Sequence, residues 1–232
     1  MKCPICKNTS DKKYRDTPYY VCGTCDLWYQ DAKNLPKVMH GDHELPPDEM
    51  SDGDKLVNEQ LARNLFFNLL NKKPTPTLDI GCAYPQLASS LTLLGCDAHG
   101  MEPGESVRNW CTQLAVNHLD YDFESFKLSK NDYNYFGLIT MIHVFEHMYS
   151  PTKALKKLRK LIKDDGYVFI RIPDHSVSGF ERDLTIGHYT IHPNFFSYDS
   201  FMHLMYITKL FYVKETYPLH GAGQRDFILS PI

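Results

Sequence analysis

The chain has 232 residues, 43% hydrophobic and 23% charged, and its 25 Lys and Arg against 28 Asp and Glu leave a net charge of −3. This composition supports a sizeable core and excludes the disordered and fibrous classes, and the length fits one full domain plus a small appendage. The acidic balance argues against a protein whose main task is gripping phosphate backbones.

No apolar run approaches the ~20 residues of a membrane span, and the N-terminal Met-Lys-Cys-Pro-Ile-Cys-Lys lacks the apolar stretch of a signal peptide. A cytoplasmic protein without membrane partners is expected. The seven cysteines fit a reducing compartment better than a disulfide framework, because four fall in the first 25 residues and Cys82, Cys96 and Cys111 are scattered singly.

Cys3, Cys6, Cys22 and Cys25 form C-x2-C-x15-C-x2-C, a spacing at which two tight turns bring four thiolates to one tetrahedral centre. Tyr19 to Val21 and Leu27 to Tyr29 supply strand-forming residues around the second pair. The reading is a zinc ribbon over residues 1–35. With four sulfur ligands there is no open position for water, so this zinc is structural rather than catalytic. Residues 36–53, with Pro36, Pro46 and Pro47, read as a linker before a main domain over 54–232.

From Lys55 to Leu70, Leu56, Leu61, Leu65, Phe66, Leu69 and Leu70 share one helical face, with Asp54 where an N-cap belongs. A strand at Thr77 to Gly81 then leads into a helix from Gln86 to Leu94. A strand at Ala98 to Glu102 leads into a helix from Ser106 to Leu114. Shorter or later strands fall near 117–121, at Phe136 to Ile142 and at Tyr167 to Ile172, the last two separated by a helix opened by Pro151. After Pro193, a helix at Tyr198 to Tyr206 precedes two strands, Lys209 to Tyr217 and Gln224 to Leu229, joined through Gly221 and Gly223 as a hairpin. Such alternation predicts an α/β fold with a mostly parallel sheet, helices on both faces and ligands at the carboxyl ends of the strands.

Two of those ends carry chemistry. Asp79 and Gly81 end one strand, and Glu102 ends the next, 23 residues after Asp79. That spacing suits a nucleoside whose ribose hydroxyls donate to an acid on the second strand. The turn Gly81-Cys82-Ala83-Tyr84-Pro85 has one glycine and a proline without an N–H, so a pyrophosphate cradle is poorly supported. S-adenosylmethionine, an adenosine cofactor without phosphates, fits better.

Four pieces of sequence resemble the class I S-adenosylmethionine-dependent methyltransferases, in the branch whose catalytic domain follows an N-terminal cysteine-rich zinc segment. They are Leu78 to Tyr84, Gly100 to Pro103, Ile139 to His147 with its Glu146-His147 pair and following Pro151, and Leu161 to Gly166. The resemblance covers nearly the whole chain. It implies a Rossmann-like sheet of seven strands with an antiparallel terminal strand. It also implies cofactor contacts by Asp79, Gly81, Ala83, Glu102 and Pro103, an adenine flanked by Asp122 and Phe123, and Met141 to His143 bordering the sulfonium. Pro85, Gly137 and Asp165 depart from the family pattern.

Methyl transfer needs donor and acceptor aligned and, for a hydroxyl acceptor, a proton removed. His143 and His147 near one strand end, and His188 and His192 in the segment that resembles the family's acceptor-side loop, are the candidate catalytic residues. His143, Glu146 and His147 also resemble the metal-binding signature of small-RNA 2′-O-methyltransferases. The expected activity is transfer to an O or N acceptor on a small molecule or sugar. The alternatives are a nucleic-acid-modifying methyltransferase, or a non-catalytic cofactor-fold protein that recruits a partner through its ribbon. The sequence does not define the oligomeric state.

Overall fold

The computed structural model describes residues 1–31, 35, 51–181 and 192–232. His188 lies outside them, as does most of the expected linker. The chain divides into two compact units. A terminal unit comprises Met1–Lys37, Ile142–Lys160 and Val168–Ile232, and a central unit comprises Val38–Met141 and Leu161–Tyr167.

The central unit begins with α1 (Asp52–Asn64), which runs into a wider π turn at Leu65–Leu69. The helix is capped by Ser51, not Asp54: the Ser51 hydroxyl accepts from the Asp54 N–H at 3.1 Å, and Asp52 and Asp54 fall in the first turn, where the helix dipole favours acids. Leu65, Phe66, Leu69 and Leu70 are buried as expected, while Leu56 is exposed. Next come β3 (Pro76–Ile80), α2 (Gln86–Leu93), β4 (Asp97–Met101), α3 (Glu105–Gln113), β5 (Asn117–Leu119) and β6 (Phe136–Ile142). β3 runs parallel to β4 and β6, and β4 runs parallel to β5. Leu78, Ile80, Leu87, Leu91, Ala98 and Leu138 are among the buried apolar residues here.

In the terminal unit, β1 (Tyr20–Val21) and β2 (Trp28–Tyr29) form the expected antiparallel pair around the second cysteine pair. β8 (Asn194–Phe195), which hydrophobic pattern does not reveal, joins β2 to make a three-stranded sheet. The cysteine segment is therefore completed by residues from far along the chain. Tyr19, Phe180 and Phe195 form its buried cluster, with Tyr14 and Trp28 packed against them.

The rest of the terminal unit holds nearly all of α4 (Pro151–Leu161), the second half of β7 (Ile162–Pro173), α5 (Tyr198–Thr208), β9 (Phe211–Leu219) and β10 (Gln224–Pro231). A reciprocal cap between Ser197 and Ser200 starts α5. β10 is antiparallel to both β7 and β9, which gives the expected hairpin. The large sheet has seven strands in the order β5-β4-β3-β6-β7-β10-β9. This is the Rossmann-like arrangement with an antiparallel terminal strand that the sequence resemblance implies.

Gly137 now has a physical reason. A Cβ at this position would lie 2.2 Å from Thr75 Oγ1 and 2.9 Å from Thr75 Cβ, so β6 can pass Thr75 only with glycine there. Gly137→Ala should destabilise the chain by about 1–3 kcal/mol, and Thr75→Ala in the same chain should recover part of the loss. Urea midpoints of the two variants measure both effects.

Candidate active site

In the central unit the register pairs Asp79 with Gly100 and Ile80 with Met101. The parallel ladder therefore sets Gly81 beside Glu102. Gly81 takes a left-handed φ of 69° while its N–H donates to Met101 O at 2.8 Å, and Ala83 is also left-handed. The turn that follows packs Cys82 under β4. A Cβ on Gly100 would lie 2.8 Å from Cys82 Sγ, so glycine at 100 is a condition of the turn's position. Pro85 caps α2 without a side-chain hydrogen bond, and the first turn closes through Ser89 N–H to Pro85 O. A proline is thus accommodated at this helix entry.

Both acids sit in environments that resist ionisation. Asp79 is 7% exposed and accepts a 2.5 Å hydrogen bond from Thr140 Oγ1. Burial raises its pKa to about 7 against the relief that Thr140 gives, and the neighbouring Glu102 adds to the rise. Burial likewise raises Glu102 to about 7, although it accepts from the Ala83 N–H, and Asp122 pushes in the same direction. Asp122 also accepts from Ser125 N–H at 2.9 Å, which fixes the turn that carries the buried Phe123. Met141 is buried near the end of β6, and Pro103 is half-buried beside Glu102. The structure thus brings together Asp79, Gly81, Ala83 and Glu102. Thr140, which holds Asp79, carries no signal in the sequence.

In the terminal unit four cysteine sulfurs converge. Cys3 and Cys25 lie 3.6 Å apart, Cys6 and Cys22 lie 3.4 Å apart, and all four fall within 4.8 Å of one another. A hydrogen bond from Cys25 holds Cys3 down at about 5, while burial pushes Cys6 up to about 11. One thiolate is therefore already favoured in a cluster that can take a metal ion.

A second convergence follows β6. His143 adopts a left-handed φ of 55°, and its N–H donates to Arg171 O at 2.9 Å. The short 3-10 turn Phe145–His147 then buries Glu146 completely. His143 Nδ1 lies 3.6 Å from Glu146 Oε1, and the His147 and His192 rings meet edge to face at 4.5 Å. Burial alone would raise the Glu146 carboxyl, but the three imidazoles hold it below its ordinary range. The sequence groups Glu146 with His143 and His147; the structure adds the buried His192.

His192 is fixed from the cysteine segment. Tyr19 Oη donates to its carbonyl at 2.6 Å and Gln30 Nε2 at 2.8 Å. Asn194 Nδ2 donates to Met148 O at 2.8 Å, tying the same strand to the Glu146 turn. Asp174, by contrast, is a structural acid, since it accepts from Arg225 Nε at 2.5 Å and from Ser176. His175 stacks on Trp28 at 4.2 Å and bonds Asp26 O.

A parallel sheet with an acid near each of two adjacent strand ends, and a left-handed glycine between them, has the layout of a nucleoside-binding crevice. The family described as "Methyltransferase domain" matches residues 54–206, well over half of the chain, and the chain belongs to it.

Among relatives, the ubiquinone biosynthesis O-methyltransferase of Shewanella sp. (strain ANA-3) is 21% identical over 49% of this chain and 50% of its own length. That of Acinetobacter baylyi is 28% identical over 40% of this chain and 41% of its own. The chain spans about half or less of the length of these curated relatives. The magnesium protoporphyrin IX methyltransferase of Synechocystis PCC 6803, solved with bound SAH, shares the fold with a TM-score of 0.59 at 12% identity, covering 80% of this chain and 90% of that one. Among the described residues, no helix is long and apolar enough to cross a membrane.

Asp79 and Glu102 ordinarily titrate at 3.8 and 4.5 and are raised to about 7 here, so the folded chain holds more protons than the unfolded one between those values. Stability of the ligand-free chain should therefore decline as pH rises through that interval. Urea midpoints taken across it should fall, and Asp79→Asn and Glu102→Gln should each flatten the fall. Midpoints that rise instead, unchanged by either substitution, would contradict the assignment.

Proposed function

We propose that the chain transfers the methyl group of S-adenosylmethionine to an oxygen or nitrogen of a small molecule or sugar. The observation that carries the cofactor half of this reading is the Asp79, Gly81 and Glu102 constellation. The buried carboxylates suit a cationic ligand whose ribose hydroxyls and ammonium group donate hydrogen bonds. The left-handed turn at Gly81, which carries no side chain, lets such a ligand approach the backbone.

When bound, the cofactor supplies an electrophilic methyl carbon on a sulfonium. Glu102 accepts from the ribose hydroxyls, and Ala83 and Pro103 border them. Asp79, oriented by Thr140, receives the methionine ammonium beside Gly81. Asp122 and Phe123 flank the adenine and Met141 borders the sulfonium; His143, two residues on, is assigned to the same role by the sequence resemblance. The acceptor is held beside the imidazole group of His143, His147 and His192, and the half-exposed His143 is the imidazole that relieves it of its proton; His188 belongs to the same acceptor-side proposal from sequence alone. The curated relatives are named as O-methyltransferases, which favours an oxygen acceptor.

The cysteine cluster is assigned to zinc. Four sulfurs this close match a closed tetrahedral site, which stabilises the segment and leaves no position for substrate. The division into ribbon, linker and catalytic domain at 35 and 53 is retained as a functional description.

Four measurements test this. Glu102→Ala should weaken S-adenosylmethionine binding by roughly 10–100-fold, the worth of hydrogen bonds to a charged group, and calorimetry reads the change directly. Binding to the unaltered chain should tighten as pH rises through about 7, where Glu102 becomes an acceptor; pH-independent affinity would count against its ribose role. Cys22→Ser should lower the zinc content by one ion per chain and unfold the cysteine segment, seen by atomic emission and by proteolysis of the first residues. For the acceptor, labelled cofactor incubated with phenols, sugars and amines, followed by mass spectrometry, should mark a hydroxyl or amine compound; label appearing only on RNA would overturn the small-molecule reading.

A further inference from the structure

We infer that Glu146, His147 and His192 form a second metal site, for a divalent first-row transition ion, distinct from the cysteine cluster. Glu146 is 0% exposed, and neither carboxylate oxygen has a hydrogen-bond partner. A buried carboxylate costs several kcal/mol unless it is paired with good geometry or bound to a metal. His143 Nδ1 stands 3.6 Å from Glu146 Oε1, beyond hydrogen-bond length.

One ligand atom from each of Glu146, His147 and His192 lies within 4.8 Å of the others. Metal bonds of about 2.0–2.2 Å put the ligands of one ion roughly 3–4 Å apart, so a small inward movement of side chains completes the site. The four cysteine sulfurs lie within the same limit of one another. The backbone supports are already in place. Tyr19 and Gln30 hold the His192 carbonyl, and Asn194 anchors to Met148 O just past His147. Ligand-bearing segments locked from behind are what a metal centre requires of its outer shell.

Two imidazoles and one carboxylate favour zinc, iron, cobalt or manganese over magnesium or calcium. Three protein ligands leave a coordination position open, and His143, with its side chain 41% exposed, marks the accessible side. An oxygen ligand bound there would ionise near neutral pH, its proton leaving to water. Metal binding stands independently of the methyl-transfer reading; its use on an acceptor oxygen rests on that reading.

The test uses the full chain, stripped with a chelator and reloaded with zinc or cobalt, with metal content measured by plasma emission. The unaltered chain should hold two ions. His192→Gln and His147→Gln should each hold one, with affinity for the second ion reduced by more than about a hundredfold, beyond the 10–100-fold that loss of an outer-shell partner costs. Cobalt separates the sites optically, because the surviving ion in these variants should keep sulfur-to-metal charge-transfer bands. Adding manganese to the stripped chain should raise the melting temperature of the unaltered protein but not of His192→Gln, which guards against a variant that merely misfolds. A single ion in the unaltered chain, or two retained by both variants, overturns the site. Calorimetric binding of S-adenosylmethionine, read on the same samples, reports separately on the methyltransferase reading.

Discussion

Two donors from the cysteine segment, the Tyr19 hydroxyl and the Gln30 amide, converge on one carbonyl, that of His192. Gln30 also donates to the Tyr19 oxygen at 3.1 Å, so the three groups form a closed buried network. Buried polar groups satisfied in this way rigidify what they touch, and the cost of leaving any one of them unmade keeps the arrangement specific. The placement of His192 against His147 and Glu146 follows from it. A segment that composition marks as an appendage thereby sets the geometry of the imidazole group.

The central unit reaches its site by a different route. There the parallel ladder does the positioning: pairing of Ile80 with Met101 fixes the Gly81 turn next to Glu102. The acids are then held in low-polarity surroundings with few donors, Thr140 for Asp79 and the Ala83 N–H for Glu102. Each is under-satisfied alone, which is the electrostatic signature of a site awaiting a donor-rich, positively charged ligand.

Much of this was legible in the residues. Cysteine spacing announced the cluster because chelation by a tight turn restricts the intervening residues to a short span. Alternation of apolar runs with helical periodicity announced the parallel sheet, and Asp79, Gly81 and Glu102 stood out because they fall at strand ends, where ligands of such sheets bind. What stayed hidden depends on contacts between distant residues. Asn194 and Phe195 form a strand only because Tyr29 and Trp28 offer an edge to pair with. Ser51 outcompetes Asp54 as cap because its hydroxyl reaches the Asp54 N–H, a choice that pattern alone does not resolve. The roles of Tyr19, Gln30 and Thr140 lie in single hydrogen bonds, which leave no periodicity to read. Gly137 looked like a lost acid by comparison with the family pattern, whereas it answers to Thr75 across the strand.

The pairing of β2 with β8 makes the cysteine segment a poor candidate for a detachable module. It emerges from the ribosome well before β8, the strand that completes its sheet, has been synthesised. Until then Trp28 and Tyr29 present an unpaired edge, the kind of surface through which nascent chains associate wrongly. Early capture of a metal by the four sulfurs would hold that edge in shape during the wait. On this view the ribbon is translated long before it is finished, and a metal held there would serve the order of assembly as much as the finished fold.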